Sequence, residues 1–257
     1  MSLNFEDIGE PLARVEDEKN KDKKLTLFIS PDKTSPMTPY KEVKLKDKAT
    51  FQVIPNKKAE RTIRYVTGAS GSGKSYFTKE YADEYKKIYP KREIFILSSI
   101  KEDKTLDKIK GLKRIKLDGQ EFLTNDLTAE DFKDSLVIFD DTDCLTDKRQ
   151  KLKVDAILNS VLETGRHFNV EVVYTSHLAC DGLRTRRILN ECKSVTIFPT
   201  GLGGKSMKYL LDNYFGLDKE QIKKIKKLES RWVCIQKSFP MVAISIKDTF
   251  ILNDHGE

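Results

Sequence analysis

The segment Gly68-Ala69-Ser70-Gly71-Ser72-Gly73-Lys74-Ser75 completes the pattern G-x-x-x-x-G-K-[ST]. Its flanks supply the context that this pattern requires. Ile63, Tyr65 and Val66 form a short β-prone run before it, and Phe77, Tyr81, Tyr85 and Ile88 recur at helical spacing after it. A strand, a glycine-rich turn and a helix in this order present backbone N–H groups and a positive helix end to a bound anion. Glycines 68, 71 and 73 permit the positive φ values that turn those N–H groups inward. The segment Gly68, Ala69, Ser70, Gly71, Ser72, Gly73, Lys74, Ser75 and Tyr76 is therefore expected to cradle a nucleoside triphosphate. Lys74 would carry charge to the β- and γ-phosphates. The Ser75 hydroxyl has the right length to hold Mg²⁺, which keeps most of its other ligands as water and phosphate oxygen.

At 257 residues and 38% hydrophobic content, the chain can bury one substantial core. A charged, flexible tail is expected over residues 1–24, a small β addition over 25–60, and the ATPase core over 61–257. Within the addition, Leu25–Ile29 and Thr50–Ile54 have the composition of strands. The lysine-dense stretch Lys101–Lys116 suits a surface helix and a short strand. Four scattered cysteines, 144, 180, 192 and 234, make no C-x-x-C pair, and the acidic N-terminus lacks a secretory pattern. A reducing, cytoplasmic setting without disulfides is expected, and no apolar run approaches a membrane span. A zinc site built from His177, Cys180 and Cys192 would lack a second close-spaced ligand pair. The formal charge of +7 suits a polyanionic partner and equally a solvated lysine-rich surface.

Leu136-Val137-Ile138-Phe139-Asp140-Asp141 has the form of a buried parallel strand ending in two carboxylates. Asp140 is expected to serve the metal, through its water or through Ser75. Asp141 would orient or deprotonate an attacking water, with Asp143 as a further acid. Val154, Ile157, Leu158, Val161 and Leu162 then share a helix face that stops near Gly165. The following strand, Val170–Tyr174, runs into Thr175-Ser176-His177. A polar side chain at the end of a strand beside the phosphate loop can report the state of the γ-phosphate, and His177 is that candidate.

The set Gly-x-x-Gly-x-Gly-Lys-Ser, Ile-Phe-Asp-Asp, Gly-Arg-His-Phe-Asn-Val and Tyr-Thr-Ser-His resembles the genome-packaging ATPases of large, poxvirus-like DNA viruses, in the FtsK/HerA superfamily. The likeness spans roughly Phe51–Phe198. It implies an α/β, RecA-like P-loop fold with a mainly parallel central sheet flanked by helices, to which the sequence adds a C-terminal β-hairpin from Arg231–Gln236 and Met241–Ile246. It also implies ATP as substrate, a homo-oligomeric ring, double-stranded DNA as the translocated partner, and a capsid or portal-vertex protein at a virus factory or in the virion. The family usually ends the sensor strand in glutamine, where this chain has His177.

A ring whose sites lie between subunits needs a cation delivered to the neighbour's γ-phosphate. Arg166 is the first candidate; Arg184, Arg186 and Arg187 are alternatives or DNA contacts. The segment Thr200–Ser206 imitates a second phosphate loop, but Pro199 occupies the position of its first glycine, leaving a flexible turn or a DNA-backbone contact. Asp218 and Gln221 form a capping box, with Leu217 and Ile222 as its staple, for a helix bearing lysines 219, 223, 224, 226 and 227; that face could line a DNA channel or simply be solvated. Two other classes share the phosphate loop. A P-loop nucleotide kinase or other small-molecule phosphotransferase would use the arginine cluster as a lid, and a nucleotide-dependent switch would turn over little. The sequence has no Asn-Lys-x-Asp segment to read guanine, which favours ATP, and no Leu-Ser-Gly-Gly signature.

Overall fold

The computed structural model describes residues 1–17, 25–31, 36–46, 48–180 and 182–252. The chain opens with β1 (Ser2–Asn4), β2 (Glu10–Glu16) and β3 (Leu25–Ser30), followed by β4 (Glu42–Lys44) and β5 (Thr50–Val53). Four of these five make an antiparallel sheet in the order β1-β3-β2-β5. The expected mobile tail is thus replaced by two strands as far as Glu16, and residues 18–24 of that expectation lie outside the described residues. Leu3, Leu12 and Ala13 are buried there despite the surrounding charge.

The main sheet begins with β6 (Ile63–Thr67), the phosphate loop and α1 (Lys74–Ile88). It continues through β7 (Glu93–Ser98), β8 (Leu112–Arg114), the short α2 (Gln120–Thr124), β9 (Ser135–Asp140), α3 (Lys148–Thr164), β10 (Glu171–Ser176), α4 (Gly182–Glu191) and β11 (Ser194–Ile197). After α5 (Gly204–Tyr209) and α6 (Lys219–Lys226) come β12 (Val233–Gln236), β13 (Val242–Ser245) and β14 (Asp248–Ile251). The order across the sheet is β4-β14-β13-β12-β11-β6-β10-β9-β7-β8. The six strands from β11 to β8 are parallel, and the other four attach antiparallel. The sheet is therefore mixed. The expected C-terminal hairpin is two strands of a three-strand meander, closed at its edge by β4 from the N-terminal region.

Strands β6, β9 and β10 are buried at every position, the property of parallel strands covered on both faces. Alternate residues divide between two cores. Tyr65, Val137, Phe139 and Val172 pack with Val154, Ile157 and Val161 of α3 and with Leu189 of α4. Val66, Leu136, Ile138 and Val173 face Phe77 and Tyr81 of α1, and that core runs on into Leu3, Leu12, Leu27 and Phe51 of the N-terminal sheet. Each such side chain contributes about 1.5–3 kcal/mol when fully buried, so the small sheet is bound to α1 by a shared apolar layer. Arg14 of β2 adds an ion pair to the buried Glu84 of α1.

Within Lys101–Lys116 the expected short strand is β8, and the expected surface helix is only a 3₁₀ turn, Leu106–Lys108, ahead of Gly111 at φ 74°. Helix α5 widens into a π-turn at Leu210–Tyr214 before Gly216 at φ 62° ends it. The Asp218–Gln221 capping box is present, with hydrogen bonds of 2.8 and 3.0 Å.

Candidate active site

The strand order brings the motifs together. Because β10 lies between β6 and β9, the C-terminal ends of three parallel strands converge, with Ser176 in register with Thr67 and Ser98 with Asp140. The phosphate loop leaves β6 at this edge. Gly71 and Gly73 take φ values of 73° and 114°, which a side chain would strain. Gly68 needs its missing side chain for another reason: a Cβ there would lie 2.7 Å from Ser72 Oγ and 3.0 Å from Phe198 Cβ.

Lys74 is 6% exposed. Its ammonium donates to Gly68 O at 3.0 Å, lies 3.1 Å from His177 Nδ1 and is 3.7 Å from Asp141 Oδ2. His177 Nε2 is 2.9 Å from the same Asp141 oxygen. An ammonium can only donate, so Nδ1 accepts and Nε2 carries the hydrogen shared with Asp141. Asp141 has φ 47°, a left-handed conformation that aspartate tolerates and that ends the strand abruptly. Three of the four residues expected to be catalytic, Lys74, Asp141 and His177, form one contact cluster.

Asp140 is buried and accepts hydrogen bonds from Ser98 Oγ at 2.8 Å and Thr175 Oγ1 at 3.0 Å. Burial pushes its carboxyl up, against those two bonds. Thr175 Oγ1 also lies 3.1 Å from Asp141 Oδ1 and accepts from Asp141 N, so one hydroxyl spans both carboxylates. Asp143 is held by Ser176 Oγ at 2.7 Å. Sequence reasoning missed Asp103, whose Oδ2 accepts from Ser75 Oγ at 3.3 Å while its Oδ1 accepts from the N–H groups of Thr105 and Leu106. No local pattern marks it, since the two partners are 28 positions apart.

The site suits its expected ligands. Ser72 Oγ is buried inside the loop without a hydrogen-bond partner, a free donor for a phosphate oxygen. Ser75, Asp140 and Asp103 offer oxygen only, the ligand type of a hard divalent cation. Among the described residues no cluster of three or more His, Cys, Asp or Glu side chains forms a metal cage.

Arg166 is elsewhere. It follows α3 in the 3₁₀ turn Gly165–Phe168, at the start of β10, and pairs with Glu60 at 3.6 Å. With Glu60, Arg61, Glu191 and Lys193 it lines a 410 Å³ cleft at the sheet edge opposite the phosphate loop. Arg187 pairs with Glu163 at 2.7 Å and Arg186 is exposed; the side chain of Arg184 lies outside the described residues. The imitation loop lies against the true one, where a Cβ on Gly201 would be 3.3 Å from Ser72 Cβ and 3.4 Å from Ala69 N. Lys224 of α6 pairs with Glu42 and covers the Phe250 ring, and the other lysines of that helix are exposed. Trp232 is partly buried against Phe77.

A phosphate loop on a strand separated by one strand from a carboxylate-ended neighbour, with a polar residue capping the strand between, is the arrangement of a P-loop nucleotide-binding fold. The DNA-packaging ATPase B204 of Sulfolobus turreted icosahedral virus shares the fold, with a TM-score of 0.50 and 18% identity over 73% of this chain and 96% of that one. ATPases 2 and 3 of EssC from Geobacillus thermodenitrificans also give a TM-score of 0.50, at 10% identity over 97% of this chain and 45% of that one. No family model matches the sequence. The chain belongs to one family with the uncharacterized protein V3 of Sputnik virophage, to which it is 37% identical over 242 residues, 93% of this chain and 94% of V3. Among the described residues no helix is long and apolar enough to cross a membrane.

Proposed function

We propose that this protein is an ATP-driven translocase of double-stranded DNA that pumps a viral genome into its capsid as a homo-oligomeric ring. The supporting observation is the Lys74–His177–Asp141 cluster at the end of β10, which ties the γ-phosphate position to the strand between the loop and β9. B204, whose fold is shared, is a DNA-packaging ATPase, and the excess of seven positive charges suits a polyanionic cargo.

Placement supports the following roles. Loop N–H groups, Ser72 and Lys74 bind the phosphates of ATP. Ser75 and Asp140 would hold Mg²⁺, with Asp103 behind Ser75, and the ion would neutralise charge between the β- and γ-phosphates. Asp141 orients the attacking water and accepts its proton. His177 fixes the Asp141 carboxylate and, by losing or keeping Lys74, senses whether the γ-phosphate is present. Arg166 lies a full strand away, about 20 Å for six residues, so it serves a site only on a neighbouring subunit. Residues 61–257 act as the motor and the N-terminal sheet as its addition, with a capsid or portal-vertex protein as the docking partner.

Phosphate release from ATP, measured alone and with linear duplex DNA, tests this reading. The expected result is DNA-stimulated turnover that is abolished in Lys74→Ala. A rate indifferent to DNA, or phosphate transfer to a small acceptor, would overturn it.

A further inference from the structure

The loop before β12 brings a second cation to the phosphate loop from the far end of the sequence. Ser230 Oγ donates to Trp232 O at 2.6 Å and accepts from Ile246 N at 3.1 Å, which closes the turn. The Trp232 ring meets Phe77 edge-on, with centroids 5.1 Å apart, and Phe77 N is bonded to Gly73 O at 3.0 Å in the first turn of α1. Two aromatic rings thus fasten the turn to the helix that begins at the phosphate loop. Arg231 sits between these anchors, where a Cβ on Gly73 would lie 3.5 Å from Arg231 Cδ and 3.3 Å from Phe198 Cε1. Its guanidinium starts one bond beyond that Cδ, about 1.5 Å. The side chain is exposed, and among the described residues no acid or carbonyl holds it.

The two cations differ in placement. Lys74 is buried and committed to Gly68 O and His177, whereas Arg231 is solvent-exposed. A guanidinium is always charged, and its planar fork matches two phosphate oxygens at once. We propose that Arg231 is a second phosphate-binding residue of this site, acting in the same chain as Lys74 and gripping the polyphosphate of the nucleotide from the solvent side of Gly73. The inference rests on the reading of Gly68–Ser75 as a nucleotide site. It also gives the β12–β14 meander a function: the meander holds the turn that carries this cation.

The test measures binding of a fluorescent ATP analogue to the full chain, with unlabelled ATP and inorganic tripolyphosphate as competitors. Arg231→Gln keeps the stem against Gly73 and removes only the charge. It is expected to weaken ATP and tripolyphosphate equally, by roughly tenfold for a charge-assisted hydrogen bond, with the thermal midpoint unchanged and partial rescue by Arg231→Lys. Affinities within about twofold of the parent for both competitors would overturn the proposal while Lys74→Ala still abolishes binding. Loss of ATP affinity with tripolyphosphate unaffected would overturn it too, placing Arg231 on the base. If the parent binds neither competitor, or Lys74→Ala binds as well as the parent, the nucleotide-site reading fails and takes this inference with it.

Discussion

His177 Nε2 lies 2.9 Å from Asp141 Oδ2 while its other ring nitrogen, 3.1 Å from Lys74 Nζ, accepts from the ammonium. The imidazole therefore works as a two-ended spacer, a donor toward the carboxylate and an acceptor toward the lysine. A glutamine amide has the same two ends, an NH₂ and a carbonyl oxygen. The departure from the glutamine usual in the resembling family is then a change of chemistry that preserves hydrogen-bond logic.

From this we expect His177→Gln to keep ATPase activity within about threefold of the parent. His177→Leu, which fills space without either end, should lose about a hundredfold, the usual scale for a lost positioning bond in a catalytic site. Steady-state kcat for the two variants checks this; equal losses would remove the spacer role.

Asp103 gives a second expectation. Its Oδ1 caps the turn at Thr105 and Leu106, each at 2.7 Å, and only Oδ2 faces Ser75. Asp103→Asn can keep the cap and lose the charge. The substitution should raise the Mn²⁺ concentration needed to occupy the ATP-bound site by about tenfold, as for other outer-sphere partners of a metal. Electron paramagnetic resonance of free Mn²⁺, with a non-hydrolysable nucleotide present, reads this without turnover.

What the sequence disclosed and what it hid follow from distance along the chain. Lys74, Ser75, Asp140 and Asp141 sit in contiguous motifs, where strand, turn and carboxylates are written side by side. His177 was legible because β10 ends in polar residues after an apolar run. Asp103 and Arg231 were not, since each gains its meaning from a partner that only the folded sheet brings near. The N-terminal strands were masked differently. In β2 the pairing shifts between Pro11 and Ala13, so three successive residues are buried and the alternation that marks a strand is lost among charges. Of the four antiparallel strands of the main sheet, β12 and β13 were legible as a hairpin, whereas β4 was hidden because it joins from across some 200 positions, a pairing that no local pattern encodes.

Glu171 predicts a pH dependence of stability. It is buried beneath α1, accepts from Tyr81 Oη at 3.1 Å, and is pushed up to about 7 by burial, against Tyr81, Arg64 and Arg92. The groups around it are Arg64 on β6, Tyr81 and Tyr85 on α1, and Tyr89 and Arg92 before β7. Because the folded value exceeds the ordinary 4.5, the folded state holds more protons between these two values, and stability falls as pH rises through that window. Glu171→Gln stays neutral and keeps an acceptor for Tyr81. Urea unfolding should show little difference near pH 4.5, and at pH 8 a variant more stable than the parent by up to about 3 kcal/mol. A variant less stable than the parent at pH 8 would contradict this.

Arg166 tests the ring. Its turn begins β10, whereas the phosphate loop follows the C-terminal end of the adjacent parallel strand β6. No rotamer of Arg166 spans that separation within one chain, so in the proposed ring its catalytic use would be on a second copy, across a head-to-tail interface. Arg166→Ala should cut ATP hydrolysis by about a thousandfold, the scale of a lost arginine supplied in trans, with nucleotide affinity intact. Lys74→Ala should abolish binding while leaving its own Arg166 to offer. In an equal mixture that assembles at random, about a quarter of interfaces pair an intact phosphate loop with an intact arginine. Activity in the mixture should therefore recover toward a quarter of the parent rate. Co-assembled mixtures that stay inactive at every ratio would remove Arg166 from the role and leave its pairing with Glu60 as its whole function.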